Sequence, residues 1–532
     1  MRHLPRYTLV SSHPTDTNHK KIVFARQRRE NKDIRFFIPQ FTKQKMKKRI
    51  YLFLILLTFL PFNRLSAAQG NLKTIVIKNV SVVDVINGRI STGMKITING
   101  ERIAKIEKTG INDAAESSAF VVDASGKFLI PGLWDMHVHI DDQNDWMFPL
   151  FLANGVMGVR DMGSSIKQIP IWKQMQRTGA TIPQIVAAGP IVTGPVTDED
   201  PRLVRISTRA EGAKAVADLK KQGADLIKVY DYLSREAYLG IIKRARQLKI
   251  PVEGHLPYSV NAAEAARLGQ KSIEHNGGAH GGMMLDVSTR EAELKKELRE
   301  KLAETPIDVP KTFVWATSIE RQKVLNDTFD AGKARKLAEV LMKENTWICP
   351  TIISYSRTNM PIDERILTDE RLKYVPKDIR AYAPATLDDF KKQSAETSAV
   401  RVATFNRHIE LYKIFHQNKV KFLAGTDSYP SPVVFPGFSL HDELAEFVAA
   451  GFTPLEALQT ATINPAVFLG RTNDYGTIGV GKRADVILLD ANPLENIQNT
   501  KRISAVITGG RYLDRRQLDK MLDAVAEFHE KK

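Results

Sequence analysis

Through the middle of this sequence, short apolar runs recur, each closing on a polar residue or a glycine. Eight such runs can be counted, ending near His139, Asp161, Gly189, Lys228, His255, His275, Thr351 and Asp427. Helical periodicity occupies residues 208–222, 234–248, 260–268 and 440–450 between several of them. Parallel strands need long crossovers, and helices supply them, so this alternation predicts an α/β fold with a parallel sheet. Eight strand–helix units predict a (β/α)8 barrel of the TIM type, with insertions at 283–345 and 354–416 that could act as lids or pack as outer helices.

The two flanks have a different texture. Thr74-Ile-Val-Ile-Lys78, Ser81-Val-Val-Asp84, Met94-Lys-Ile-Thr97 and Ile103-Ala-Lys-Ile106 are β-branched runs, with turn signals at Asn87-Gly88 and Asn99-Gly100. The same pattern returns in Ala484-Asp-Val-Ile-Leu-Leu489 and Ile503-Ser-Ala-Val-Ile-Thr508. A small β-sandwich built from both ends is therefore expected, with 69–130 as its first part, 131–470 as the barrel, and 471–532 as its second part plus a C-terminal helix.

Active sites of such barrels form at the C-terminal ends of the strands. In Leu129-Ile-Pro-Gly-Leu-Trp-Asp-Met-His-Val-His139, the two histidines are separated by one residue, so a strand presents both imidazoles on one side. Lys228, His255, His275 and Asp427 fall at later strand ends. Any one histidine could be an ordinary hydrogen-bonded core residue. Four at strand ends, with an aspartate, point to a metal site at the barrel mouth.

The ordered set Gly132-Leu-Trp-Asp-Met-His-Val-His139, Ile227-Lys-Val-Tyr230, Gly254-His255, Ser272-Ile-Glu-His275 and Gly425-Thr-Asp427 closely resembles the amidohydrolase superfamily. Asn464-Pro-Ala466 and Gly476-Thr-Ile-Gly-Val-Gly-Lys-Arg-Ala-Asp485 resemble that superfamily's return into its β-domain. The nearest branch by this resemblance holds bacterial Xaa-Pro dipeptidases and imidazolonepropionase-like proteins. His137, His139 and Asp427 can hold one divalent metal, His255 and His275 a second, and neutral imidazoles with a carboxylate suit zinc. The resemblance implies that Lys228 is N-carboxylated by CO₂ and bridges the two ions; otherwise it would pair with Asp225 or Glu253. Asp427 sits where the family's catalytic aspartate sits, and is expected to pass a proton from a metal-activated hydroxide to the leaving amine.

Other residues have more than one reading. Arg160 could grip a substrate carboxylate bidentately, or pair with Asp161 or Asp135. Tyr230 and Tyr232 either pack or reach the substrate, and His280, in a glycine-rich loop, either touches substrate or does nothing. His441 is expected outside the metal shell. After Lys228, Val229-Tyr-Asp-Tyr-Leu-Ser234 is bulkier than the glycine-rich turn of dipeptidases in this branch, which puts dipeptide specificity in doubt.

The net charge of +17 misleads, because residues 1–49 carry 14 Lys and Arg against 3 Asp and Glu, and from Gln69 onward the balance is 62 against 57. Nothing there favours a nucleic-acid partner. Met46-Lys-Lys-Arg49, the apolar run Ile50–Leu60 and Ser66-Ala-Ala68 have the order of a secretory signal peptide at 46–68, too short an apolar run for a spanning helix. Residues 1–45 then read as a basic extension, or as an upstream start with Met46 the true first residue. The only cysteine, Cys349, excludes an intrachain disulfide framework. The expected protein is exported, periplasmic or secreted, without stable membrane insertion after signal cleavage; homo-oligomers remain open. Its expected activity is hydrolysis of an amide-type C–N bond in a small substrate such as a dipeptide or N-acyl amino acid. A cyclic amidase or lactonase is the alternative, and a non-catalytic metal-binding barrel the reading from another class. Lys228 argues against a deaminase, since deaminases of the superfamily generally use one metal and lack the lysine.

Overall fold

A computed structural model describes residues 74–110, 119–141, 144–278, 281–303 and 307–531, all within one unit of the chain, Leu56–Lys532. The expected signal peptide, the basic extension and His280 lie outside the described residues.

The N-terminal flank forms β1 (Thr74–Val83), β2 (Ile90–Asn99), β3 (Arg102–Lys108), β4 (Phe120–Asp123) and β5 (Phe128–Pro131). Both anticipated turns are present, with Gly88 at φ 76° and Gly100 at φ 56°, a left-handed backbone that glycine adopts without a Cβ clash.

The barrel follows. Its strands are β6 (Leu133–Val138), β7 (Val156–Asp161), β8 (Gln184–Ala187), β9 (Ile191–Thr193), β10 (Leu203–Arg205), β11 (Ile227–Val229), β12 (Val252–Gly254), β13 (Ser272–Glu274) and β14 (Trp347–Cys349). β6, β7 and β8 pair in parallel, and so do β9, β11, β12, β13 and β14, with β10 flanking β9. Third-strand pairing is shared by β8 and β9, because the strand is interrupted after Ala187; the Asp225 amide donates to Ala187 O and β9 bonds to β11. The eighth position is an irregular segment, 421–428. Its Leu423 amide donates to Ile348 O, while Met136 donates to Ala424 O and Asp427 to His137 O, so the ring closes on β6. Four of the crossover helices, Arg209–Lys221, Arg235–Leu248, Ala262–Leu268 and Phe438–Ala449, fall within a residue or two of their sequence expectation. Thr208 and Ser234 cap the first two, as polar side chains preceding an apolar periodicity should.

The chain then returns as β15 (Val486–Leu489), β16 (Ile503–Thr508) and β17 (Arg511–Asp514), and ends in helix Arg515–Lys531. Together the flanks make one sheet in the order β17-β16-β15-β5-β1-β2-β3, with β4 beside β1. Instead of two separate layers, the small domain is a single sheet rolled on itself. Ile103 donates to Lys482 O and Ala484 to Glu101 O, joining β3 to the segment before β15 around an apolar core that includes Ile75, Ile96, Leu129 and Val486. Rolling lets β1, β2, β5, β15 and β16 bury residues in one core without a second sheet.

Inside the barrel, Trp134, Met136, Val186, Leu226, Trp347, Leu423 and Phe468 fill the space. The apolar plug leaves room for polar side chains at the strand ends. The insertions contribute partly as outer helices: Ala331–Lys343 and Ala395–Gln417 bury Leu337, Leu341, Leu411 and Phe415 in the main core. The Thr197 amide bonds to Ile307 O, tying the loop after β9 to the 283–345 insertion. Among the described residues, no helix is long and apolar enough to cross a membrane.

Candidate metal centre

At the end of β6, His137 is fully buried while His139 is partly exposed. The His137 Nδ1–H donates to Glu274 Oε2 at 2.8 Å, and the His139 Nδ1–H to Gly163 O at 3.4 Å. A carboxylate or carbonyl can only accept, so both rings carry the proton on Nδ1 and turn the Nε2 lone pair inward. Those lone pairs meet Asp427 Oδ1, 3.5 Å from His137 Nε2 and 3.2 Å from His139 Nε2. His137 Nε2 is buried with no hydrogen-bond partner among the described residues.

Three electron-rich atoms aimed at one point repel one another unless a cation lies between them. Metal–ligand bonds of ~2.1 Å in a tetrahedral arrangement separate ligand atoms by about 3.4 Å, which matches these distances. The donor set therefore fits a divalent metal. His137, His139 and Asp427 are one of two groups of potential ligands found among the described residues; the other is His137, Glu274 and Cys349. That second group is a poorer ion site, because Glu274 is already engaged by a guanidinium.

The backbone is bent to bring these groups together. His275, Thr351 and Asp427, at the ends of the sixth, seventh and eighth strand positions, adopt φ of 56°, 48° and 56°. For residues with a Cβ, such a conformation costs of order 1–3 kcal/mol each and persists where surrounding structure imposes it, typically at functional sites. The glycine of Gly425-Thr-Asp427 is required by space: a Cβ there would lie 2.5 Å from Cys349 Sγ and 2.8 Å from His137 Cβ.

The second pair of histidines sits beside the first. The ring centroids of His275 and His137 are 4.7 Å apart, and those of His255 and His275 5.0 Å. The His255 Nδ1–H donates to Asp231 Oδ2 at 3.1 Å, and His275 Nδ1 is bonded to Thr351 Oγ1 at 2.6 Å. Burial pushes the pKa of His137 and His255 well below the ordinary imidazole range, and that of His275 to about 3. Neutral rings with a free nitrogen are the state that ligates a metal. Burial works to raise the Asp427 pKa, but the nearby imidazoles of His275 and His139 outweigh it and hold the carboxyl at about 2. It is an anion throughout the neutral range.

Lys228, on β11, is fully buried among these groups. Burial lowers its pKa against the opposing pull of Glu274 and Asp427. Both alternative partners are occupied elsewhere, Asp225 by Lys173 at 3.1 Å and Glu253 by Arg160.

Arg160 corrects one expectation. Its guanidinium is completely buried, where it cannot meet a substrate carboxylate. It binds Glu253 through Nη1 and Glu274 through Nη2 at 2.8 and 3.0 Å, not Asp161 or Asp135. Asp161 instead accepts from the Ile140 amide, and Asp135 from the Thr426 amide and hydroxyl. The physical reason is direction: Arg160 points into the barrel, where two carboxylates need its charge. Glu253–Arg160–Glu274–His137 thus forms a charged chain beneath the site that orients His137 from behind.

Glu274, Asp231 and Thr351 were not singled out by sequence reasoning, nor was Tyr355, whose ring faces His275. Glu274 lies within the motif Ser272-Ile-Glu-His275, and its alternation with Ser272 is the one signal that could have marked it. Tyr230 stacks on His255 with centroids 4.2 Å apart, and burial raises its phenol's pKa well above the usual range, so it remains a donor. Tyr232 packs edge-on against Tyr258. His441 is buried between Thr500 and the Asn154 carbonyl, away from the metal group, as expected.

The profile of the Amidohydrolase family matches residues 128–513. The chain belongs to the amidohydrolase family. The match runs from β5 through the whole barrel into β17, so it covers the site as well as the fold. A dihydroorotase from Pelotomaculum thermopropionicum is 23% identical over 430 residues, which is 80% of this chain and 90% of that protein. Among solved structures, bottromycin amidohydrolase superposes with a TM-score of 0.66 at 21% identity, covering 88% of this chain and 92% of the other. A Xaa-Pro dipeptidase with methionine bound in its active site gives a TM-score of 0.58 at 19% identity, covering 83% of this chain and all of that one. These likenesses agree with a TIM-like barrel carrying a small sheet domain. This amidohydrolase is a hydrolase acting on carbon–nitrogen bonds, of a family that binds divalent metals and acts on small-molecule substrates.

Proposed function

We propose that this amidohydrolase binds two zinc ions and hydrolyses an amide or peptide-type bond in a small substrate such as a dipeptide or N-acyl amino acid. The observation that carries the reading is the convergence of His137 Nε2, His139 Nε2 and Asp427 Oδ1 within 4.8 Å of one another. His137, His139 and Asp427 would hold one ion, His255 and His275 the second, and Lys228, once carboxylated, would span the two. Bound zinc supplies water ionised near neutral pH and polarises a carbonyl. The chain's own groups do the rest. Asp427 takes the proton of the attacking water and passes it to the leaving nitrogen, while Glu274 and Asp231 hold the His137 and His255 rings in the required tautomer.

The similarity to a Xaa-Pro dipeptidase supports an acyclic amide. A cyclic amide or lactone is the second reading, favoured by the bulk of Tyr230 stacked on His255. Zinc- and bicarbonate-loaded protein should therefore hydrolyse members of a panel of dipeptides and N-acyl amino acids; turnover confined to lactams or lactones selects the second reading, and none on either sinks both.

We also propose export. The order Lys-Lys-Arg, apolar run, Ser-Ala-Ala supports cleavage before Gln69. N-terminal sequencing of the protein from its native host should read Gln69 or an immediate neighbour; a cytoplasmic product retaining the 46–68 segment would overturn it.

A further inference from the structure

Beyond the metal-ligating histidines, the ring arrangement along one wall of the site continues. Tyr230 stacks on His255, His255 meets His275, and His275 is followed by Tyr355 at 6.2 Å between centroids and then by His408, edge-on to Tyr355 at 5.2 Å. Tyr355 and His408 both come from the connection between the seventh and eighth strand positions. Helix Ile352–Asn359 starts three residues after β14, and its first amides, Ile352 and Ile353, donate to the two oxygens of buried Glu443 at 3.0 and 2.7 Å. The carboxyl fastens that helix to helix Phe438–Ala449, so Tyr355 has a rigid mount.

The Tyr355 hydroxyl has a weak engagement. It donates to Gly278 O at 3.4 Å, near the limit for such a bond. Gly278 itself lies against the metal shell, since a Cβ on it would stand 2.2 Å from Asp231 Oδ1 and 3.2 Å from His255 Nδ1. The phenol is thus held at the rim of the His255–His275 pair, half-buried, with its proton only loosely engaged.

We propose that Tyr355 is a further catalytic residue, whose phenol O–H donates a hydrogen bond to the substrate carbonyl oxygen as negative charge develops there. The assignment rests on the amide-hydrolysis reading above. A donor preset for the tetrahedral species acts on the transition state more than on the bound substrate, so its loss shows in kcat.

The test is Tyr355→Phe in the zinc-loaded full-length protein. It uses the amide that the wild type turns over fastest and, as a probe, the methylphosphonyl counterpart of that amide. Removing one such donor typically costs ~10²–10³-fold, so kcat should fall by at least about 100-fold with KM within about threefold. Affinity for the tetrahedral probe should fall by the same factor as kcat/KM, with metal content unchanged. If Tyr355 only anchors Gly278, substrate and probe will weaken equally and kcat will be retained, which overturns the assignment. Unchanged kcat and probe affinity overturn it too. A wild type that hydrolyses no amide brings down the functional reading first, and the Tyr355 assignment with it.

Discussion

Replacing Asp427 by Asn is expected to lower kcat on an amide substrate by about 10²–10⁴-fold, the usual cost of losing a positioned general acid–base group, while most of the metal stays bound. The carboxylate is fixed by its place on segment 421–428. Its amide donates to His137 O, its backbone is held at φ 56°, and Oδ1 faces the Nε2 atoms of both β6 histidines. Asn preserves that shape and one ligating oxygen but cannot take up a proton. The pH dependence has a definite sign. His275 and His139 hold the Asp427 pKa at about 2 despite burial, so the required anion is present above that value and is lost only as pH falls toward it. The acidic limb assigned to this group should accordingly vanish from the residual activity of the Asn variant. A variant with full metal occupancy and near-normal kcat would show that the proton travels through another group.

Lys228→Ala should lower the bound zinc from two equivalents per chain toward one, and reduce kcat/KM by about 10³-fold or more, as expected when several kcal/mol of transition-state stabilisation are lost. A buried ammonium among cations would be repelled; a carbamate reverses its sign and offers two oxygens. Burial already pushes Lys228 toward the neutral amine, the form that would add to CO₂ with loss of one proton. Two further results should accompany the loss. Metal-stripped wild type should reload its second zinc only when bicarbonate is present, and a short carboxylic acid such as acetate should restore part of the activity of Lys228→Ala by occupying the vacated space. Two tightly bound zinc ions in the alanine variant, or full reloading in CO₂-free buffer, would refute a bridging role.

The barrel was legible because its signals are local. Strand runs ending on chemistry, capped helices and two-residue turns are written within ten residues or so, and the eight strand ends expected from them coincide with the ring that forms. The convergence of the histidines with Asp427 was legible for the same reason, since the strand ends of this fold gather at one mouth. Irregular places were less so. The eighth strand position is an irregular segment in which Asp427 alone is left-handed, at φ 56°.

The sequence by itself determined the parallel barrel, the β-rich flanks that fold as one domain, and which histidines, lysine and aspartate share the catalytic face. Tertiary structure alone decided what supports them. Arg160 is separated by 93 residues from Glu253 and by 114 from Glu274, and nothing in its own neighbourhood says that it turns inward rather than toward a substrate. The same holds for Tyr355 with His275 and for Asp231 with His255. Ligand positions follow from strand periodicity, a property of the local backbone. Which buried charge compensates which is decided only when distant segments exclude water from the same space, and each must find an opposite charge or a hydrogen bond there.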